Sequence, residues 1–310
     1  MGGAAPRLLC VVGPTATGKS ATAIALAERL GGEVVACDST AVYRGIDIGT
    51  DKVPVDEQRG IPHHLVDMVG PAETYSAARY ATDAAAVIHD IHARGRVPIL
   101  AGGTGFYYRA LVRGLFPGPA RDEALRARLE RVADRRGTEA LHRWLARVDP
   151  ASSVRIQPRD RKRLIRALEV WILTGRPLTA HFDDTASPLV GWDIRAVGLT
   201  VNRDESRRRV TARVEQQFAR GVVDEVRQLL ASGVPASAHA LSGLVYRQVL
   251  EMLDGRRGDA DTRALIVREN LRYAKRQLTW FRHEAGVVWV DATSPAGLPE
   301  RAQDALGLIP

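Results

Sequence analysis

The sequence predicts an α/β fold, a parallel sheet flanked by helices and interrupted by an all-helical insertion. Three observations point there. Over residues 1–112, apolar runs of strand length alternate with amphipathic helical stretches. A glycine-rich turn joins the first apolar run to the first helix. From Arg121 to Thr174 the periodicity is helical throughout, and the alternation resumes only near Ile194.

The first strand is the run Leu8-Leu9-Cys10-Val11-Val12. It leads into Gly13-Pro14-Thr15-Ala16-Thr17-Gly18-Lys19-Ser20, and Ala21 to Glu28 reads as a helix. Strand, G-x-x-x-x-G-K-S and helix in that order form the phosphate-binding P-loop. Glycines let the backbone curl and aim its N–H groups inward, and the helix N-terminus adds its positive dipole end. Residues 13–20 are therefore the candidate diphosphate cradle, with Lys19 as a mobile cation and Ser20 placing a hydroxyl on Mg²⁺.

The second strand, Glu33 to Cys37, ends in Asp38-Ser39. Doubly wound sheets gather ligands at the carboxyl ends of their strands, which puts Asp38 near the cradle. There it can hold Mg²⁺ or water, take a proton from an acceptor, or cap a turn. His64 to Val69 is a possible third strand. Ser76 to Arg94 reads as an Ala-rich helix, Val97 to Ala101 as a strand, and Thr104 to Val112 as a helix. Between the last two lies Gly102-Gly103-Thr104-Gly105, a second glycine turn at a strand's carboxyl end. Thr104 can donate to a phosphate or cap the helix that follows.

The pattern changes at Leu115-Phe116-Pro117-Gly118-Pro119. Helices are predicted over 123–135, 139–147 and 158–174, with Asp149-Pro150 and Gly175-Arg176-Pro177 as breakers. The division expected is a core of 1–117 plus 191–310 and a helical insertion of 118–190. Beyond it follow a strand at 194–201, helices over 204–219, 223–231, 242–253 and 261–281, and a strand at 287–291.

Charge is concentrated in the insertion. From Arg113 to Phe182 there are 16 Arg and Lys against 8 Asp and Glu, which equals the whole chain's +8. A basic region on a neutral core points to a polyanion, although arginine on solvated helices gives the same count. Lys162, Arg163 and Arg166 are spaced to share a helix face. Near the C-terminus Tyr273 to Arg282 mixes cations with aromatics, a composition suited to phosphates and stacked bases. At least one of Trp280 and Phe281 is expected to face the core. The two cysteines, Cys10 and Cys37, read as buried thiols. His63-His64 has no partners at a zinc spacing. The N-terminus lacks a secretory h-region and no apolar run is long enough to span a bilayer, so the expectation is a soluble cytoplasmic protein with no membrane association. No convincing strand carries the added acid of the hydrolytic P-loop ATPases; Asp67 is the nearest.

Seven strings occur in the order found in tRNA dimethylallyltransferases, and the chain resembles that family from about residue 8 to 290. They are GPTATGKS, Asp38-Ser39 through Tyr43, Gly49-Thr50-x-Lys52, Pro62-His63-His64-Leu65, the Gly102 to Gly105 turn, Arg163-Leu164-x-Arg166-Ala167-Leu168-Glu169, and Ala274-Lys275-Arg276-Gln277-x-Thr279-Trp280-Phe281-Arg282. The resemblance implies a P-loop NTPase-like core, Mg²⁺ as cofactor, and a monomer acting on dimethylallyl diphosphate and a tRNA anticodon stem-loop. The reaction implied moves the prenyl group to N6 of the adenosine 3′ of the anticodon. It assigns Asp38 as base and places Lys19, Thr104 and Arg213 at the diphosphate or reacting centre. Ser39, Thr40, Ala41, Arg126, Lys162, Arg163, Leu164, Ile165 and Arg166 would contact tRNA. So would Lys275, Arg276, Gln277, Thr279, Trp280 and Arg282.

The family pattern is broken at three places. Ala41 replaces Gln, Val245 replaces Gly in Gly243-Leu244-Val245-Tyr246, and Gln217 replaces a common Met. The rival readings are a prenyltransferase of free adenine nucleotides, a P-loop small-molecule kinase, and a tRNA-binding protein without catalysis.

Overall fold

The computed structural model describes residues 5–308, which divide into two compact units, 5–112 with 188–308 and 113–187. The second unit overlaps the helical insertion of 118–190 expected from the sequence.

The first unit is built on a six-stranded, wholly parallel sheet in the order β3-β2-β4-β1-β5-β6. The strands are β1 (Arg7–Val12), β2 (Gly32–Cys37), β3 (His63–His64), β4 (Val97–Gly102), β5 (Asp193–Thr200) and β6 (Val287–Asp291). Leu8 to Val12 are all fully buried, as a central parallel strand covered on both faces requires. On one face α1 (Lys19–Leu30) and α12 (Leu298–Ala305) close a core with Leu9, Val11, Val34, Ile99, Val197 and Leu199. α2 (Ala77–Ala93) and α3 (Gly105–Val112) form a separate pair, where Tyr80 stacks on Tyr107 with centroids 4.2 Å apart. Ser76 caps α2 by accepting from Arg79 N.

Three expectations need correction. The third strand is only His63–His64, because Leu65 and Asp67 turn into positive φ (62° and 57°). There Leu65 is buried and Asp67 meets the Lys52 ammonium, so the chain curls where the apolar run suggested extension. The breaker Asp149-Pro150 ends one helix but starts another, Pro150–Arg155, with Asp149 accepting from Ser152 N and proline at the first helical position. Helix α12, absent from the sequence reading, follows the last strand.

The rest of this unit is α8 (Arg203–Ala219), α9 (Val222–Ala231), α10 (Tyr246–Leu253) and the long α11 (Asp259–Arg282). Ala274, Gln277 and Phe281 form the inward stripe of α11.

The second unit is helical. α4 (Glu123–Arg136), α5 (Thr138–Val148), α6 (Pro150–Arg155) and α7 (Arg161–Thr174) pack around Leu129, Leu141, Leu145, Leu164 and Leu168. Asp122 and Asp160 cap α4 and α7.

Candidate active site

The phosphate cradle forms where β1 meets α1. Gly13 has φ 133°, and a Cβ there would lie 2.5 Å from Leu199 O, so only glycine lets the loop cross the end of β5. Gly18 adopts φ 90° to turn the loop into the helix. Thr17 Oγ1 donates to Pro14 O at 2.9 Å and closes the loop on itself. Lys19 Nζ donates to that same carbonyl at 2.6 Å. Burial lowers its ammonium to about 7; the Arg213 charge adds to this and Asp38 opposes it. An anion placed beside Lys19 and Arg213 would favour the charged ammonium again.

Two further elements complete the cradle. Gln277 of α11 accepts from Thr15 N at 2.9 Å and donates to Gly103 O at 2.9 Å, tying the P-loop to the second glycine turn. Arg213 of α8 donates from NH1 to Thr15 Oγ1 at 2.6 Å, and its Nε lies 3.2 Å from Asp51 Oδ2. Ser20, in the first turn of α1, is exposed and lines the pocket. Among the described residues no cluster of three His, Cys, Asp or Glu could hold a metal. A metal at this point would have few protein ligands, the arrangement of Mg²⁺ sites completed by phosphate oxygens and water. The Ser20 hydroxyl fits that role.

Asp38 closes its own turn. Its Oδ1 accepts from Thr40 N (2.8 Å), Thr40 Oγ1 (2.6 Å) and, at 3.4 Å, Ala41 N. The capping reading is therefore met by one oxygen, and Oδ2 takes part in none of these bonds. Thr104 does not spend its hydroxyl on α3; Oγ1 accepts from Ser39 N at 3.0 Å and pins the Asp38 turn to the glycine turn. Gly105 makes room for Trp280, since a Cβ there would sit 2.3 Å from the indole.

The P-loop, Asp38, Arg213 and Gln277 meet in one pocket of about 250 Å³, with Thr104 behind its lining rather than in it. Thr15, Lys19, Asp38, Asp51 and Arg213 give it a charged lining, and Val34, Ala36, Val66 and Ala101 an apolar one. Tyr273 completes it, its phenol pushed up to about 12 by burial and the Asp38 charge, so it stays a neutral donor. Such a pocket can hold a phosphorylated group with a short hydrocarbon and place a carboxylate beside it.

Asp51 was not singled out from sequence, and Tyr273 only as the start of the cation–aromatic stretch, not as a pocket residue. Asp51 is the unspecified residue of Gly49-Thr50-x-Lys52, and the only signal was its motif neighbours.

The expected tRNA contacts divide. Lys162, Arg163, Lys275, Arg276, Thr279 and Arg282 are exposed, and Ser39, Thr40 and Ala41 are half-buried beside Asp38. Leu164 and Ile165 are core residues of the helical unit, so their side chains do not reach solvent. Gln277 is buried in the cradle, and Trp280 packs on Gly105 with Arg109 4.6 Å above its ring. Phe281 is the fully buried aromatic. Arg126 pairs with the buried Glu169 through Nε and NH2, both at 2.8 Å, and Arg166 reaches it at 2.6 Å.

Residues 41–284 match the family described as IPP transferase. A tRNA dimethylallyltransferase of Thermomicrobium roseum is 48% identical over 290 residues, covering 93% of this chain and 87% of that protein. A full-length tRNA isopentenylpyrophosphate transferase from Bacillus halodurans is 37% identical with a TM-score of 0.71, over 97% of this chain and 94% of that one. A eukaryotic dimethylallyltransferase acting on tRNA is 25% identical with a TM-score of 0.79, over 96% of this chain and 78% of that one.

Proposed function

The chain belongs to the IPP transferase family, that of the tRNA dimethylallyltransferases, and on that premise we propose how its own residues carry the reaction. The donor is dimethylallyl diphosphate. The acceptor is N6 of the adenosine 3′-adjacent to the anticodon, in tRNAs reading codons beginning with U. The allylic C1–O bond breaks, pyrophosphate leaves with the bonding pair, the N6–C1 bond forms, and the N6 proton passes to Asp38.

The observation that carries this reading is the shared pocket of Lys19, Arg213, Asp38 and an apolar wall. The P-loop N–H groups, Lys19 and Arg213 meet charge as it develops on the leaving oxygens. Mg²⁺ held at the Ser20 hydroxyl and the diphosphate would add further neutralisation of that charge. Val34, Ala36 and Ala101 accommodate the five-carbon chain and keep water from the allylic carbon. An adenine amine is a poor nucleophile because its lone pair is delocalised, and the Asp38 carboxylate compensates. Thr104 orients the turn that carries it. The target base leaves its stack to reach such a pocket. The exposed cations of α7 and α11 are assigned to the tRNA backbone, and the protein is assigned as a monomer.

The test is incubation with Mg²⁺, radiolabelled dimethylallyl diphosphate and either unmodified tRNA or AMP, followed by nucleoside analysis. Label on N6 beside the anticodon is expected. Label on AMP alone would move the protein to free-nucleotide prenylation, and label on neither with ATP turnover would make it a kinase. Asp38→Asn is expected to slow prenyl transfer by about 10²–10⁴-fold while tRNA affinity holds. Near-normal turnover in that variant would remove Asp38 as the base.

A further inference from the structure

Arg213 comes to the cradle from the middle of α8, and a long side chain on a helix is free to swing unless something holds it. Outside the P-loop one side chain does so, and a second backs it. Asp51 Oδ2 lies 3.2 Å from Arg213 Nε. Gln217, one turn further along α8, donates from Nε2 to that same Oδ2 at 2.7 Å and to Gly49 O at 3.2 Å. With NH1 donating to Thr15 Oγ1 and Nε in an ion pair with Asp51, the guanidinium is held on two sides, and its NH2 makes no hydrogen bond to the described residues.

Asp51 is itself firmly placed. It sits at φ 52° in a loop whose N–H groups at Asp47, Ile48 and Gly49 all donate to the Glu225 carboxylate, at 2.7, 2.8 and 3.3 Å. The next residue, Lys52, donates to Tyr43 O at 2.6 Å and pairs with Asp47 and Asp67. Gln217 is 2% exposed, and its Oε1 is buried without a hydrogen-bond partner. Half of its amide is thus unsatisfied, which disfavours a polar side chain here unless the other half is useful. The useful half is the bond to Asp51.

An isolated carboxylate beside a diphosphate site would repel the ligand. Asp51 avoids this by being spent on Arg213. We infer that Asp51, backed by Gln217, is a positioning residue that holds the Arg213 guanidinium against the P-loop before the donor arrives. Preorganised charge costs no rearrangement when negative charge develops, so the benefit appears in binding of diphosphate and in the chemical step. This rests on the reading that the P-loop holds the donor diphosphate.

The test measures affinity for inorganic pyrophosphate with Mg²⁺, by calorimetry, in the full chain and in Arg213→Ala, Asp51→Asn and the double variant. Kinetics for dimethylallyl diphosphate and tRNA accompany it. Asp51→Asn should weaken pyrophosphate by about tenfold and raise KM for the prenyl donor, leaving KM for tRNA unchanged. In the Arg213→Ala background the same substitution should cost nothing more, since the partner it orients is gone. Gln217→Met keeps Asp51 and should weaken pyrophosphate in the same direction but less. Unchanged or tighter binding in Asp51→Asn would overturn the inference, because a mere nearby negative charge predicts tightening. Full additivity with Arg213→Ala would overturn it as well. So would a lower Tm with unchanged pyrophosphate affinity, which would leave Asp51 a loop anchor. If Arg213→Ala itself leaves pyrophosphate affinity untouched, Arg213 is no diphosphate contact and the inference falls; if the unaltered full chain binds no pyrophosphate, the diphosphate assignment of the P-loop fails.

Discussion

Lys19 illustrates how a single side chain can be set by its surroundings. Its ammonium falls to about 7 because burial and the Arg213 charge outweigh the attraction of Asp38. The folded value lies below the unfolded 10.5, so between those limits the unfolded chain holds more protons and stability rises with pH. A bound diphosphate reverses the balance and restores the proton. Binding of pyrophosphate with Mg²⁺ at pH 8 should therefore draw protons from solvent, whereas at pH 6 Lys19 is already charged and contributes none. Calorimetry in two buffers of different ionisation heat measures this; the uptake should shrink in Lys19→Met, and an undiminished uptake would place the proton elsewhere. Val245 is set by its backbone. It is buried at φ 76°, ψ −63°, a strained γ-turn geometry that β-branched residues rarely adopt. The sequence marked this residue as a departure from glycine, but not that the backbone would keep a glycine-like shape around it. Val245→Ala loses buried surface and keeps the strain, while Val245→Gly also relieves about 1–3 kcal/mol. The glycine variant should have the higher Tm, opposite to the usual preference for alanine.

At the level of elements, local signals were legible and long-range ones were not. The P-loop, the Asp38 turn and the caps at Ser76, Asp122 and Asp160 are written in a few adjacent residues, so spacing alone discloses them. The bond from Gln217 to Asp51 joins residues 166 positions apart, and no local pattern announces it. Motif strings also hide which face a residue takes. Arg163 to Glu169 reads as one basic tRNA motif, yet on α7 it splits into exposed Arg163, core Leu164 and Ile165, and buried Glu169. Burial pushes the Glu169 carboxyl up, but bonds from Arg126 and Arg166 hold it down at about 2. It also accepts from Asp122 N at 2.9 Å, fixing the start of α4. Removing one partner of a buried pair strands the other, at a cost of about 3–5 kcal/mol. Glu169→Gln should therefore destabilise the helical unit by about 3 kcal/mol, read in urea from the fluorescence of Trp144 and Trp171. A change below about 0.5 kcal/mol would return the cluster to the surface ion-pair class.

Across the whole molecule, the +8 charge is where composition and structure meet. Part of the basic count in the helical unit is neutralised internally: Arg126 and Arg166 on Glu169, and Arg161 on Glu130 and Asp134. The count alone therefore overstates the field available to a polyanion. What remains available at the start of α7 is Lys162, which forms no ion pair among the described residues, and Arg163, whose side chain is 74% exposed despite an ion pair with Asp160. If these two meet phosphates, each contact releases counterions, and log affinity falls with log salt by roughly 0.7–0.9 per contact. Lys162→Ala with Arg163→Ala should then weaken tRNA binding several-fold at low salt and reduce that slope by about 1–2. The rate at saturating tRNA should hold, because neither residue lines the catalytic pocket. Reversing both charges with glutamate should deepen the loss without changing Tm, since both side chains are exposed. An unchanged affinity and slope would leave this end of α7 a solvated face and transfer the electrostatic work to Lys275, Arg276 and Arg282 of α11, where the same substitutions and salt series would locate it.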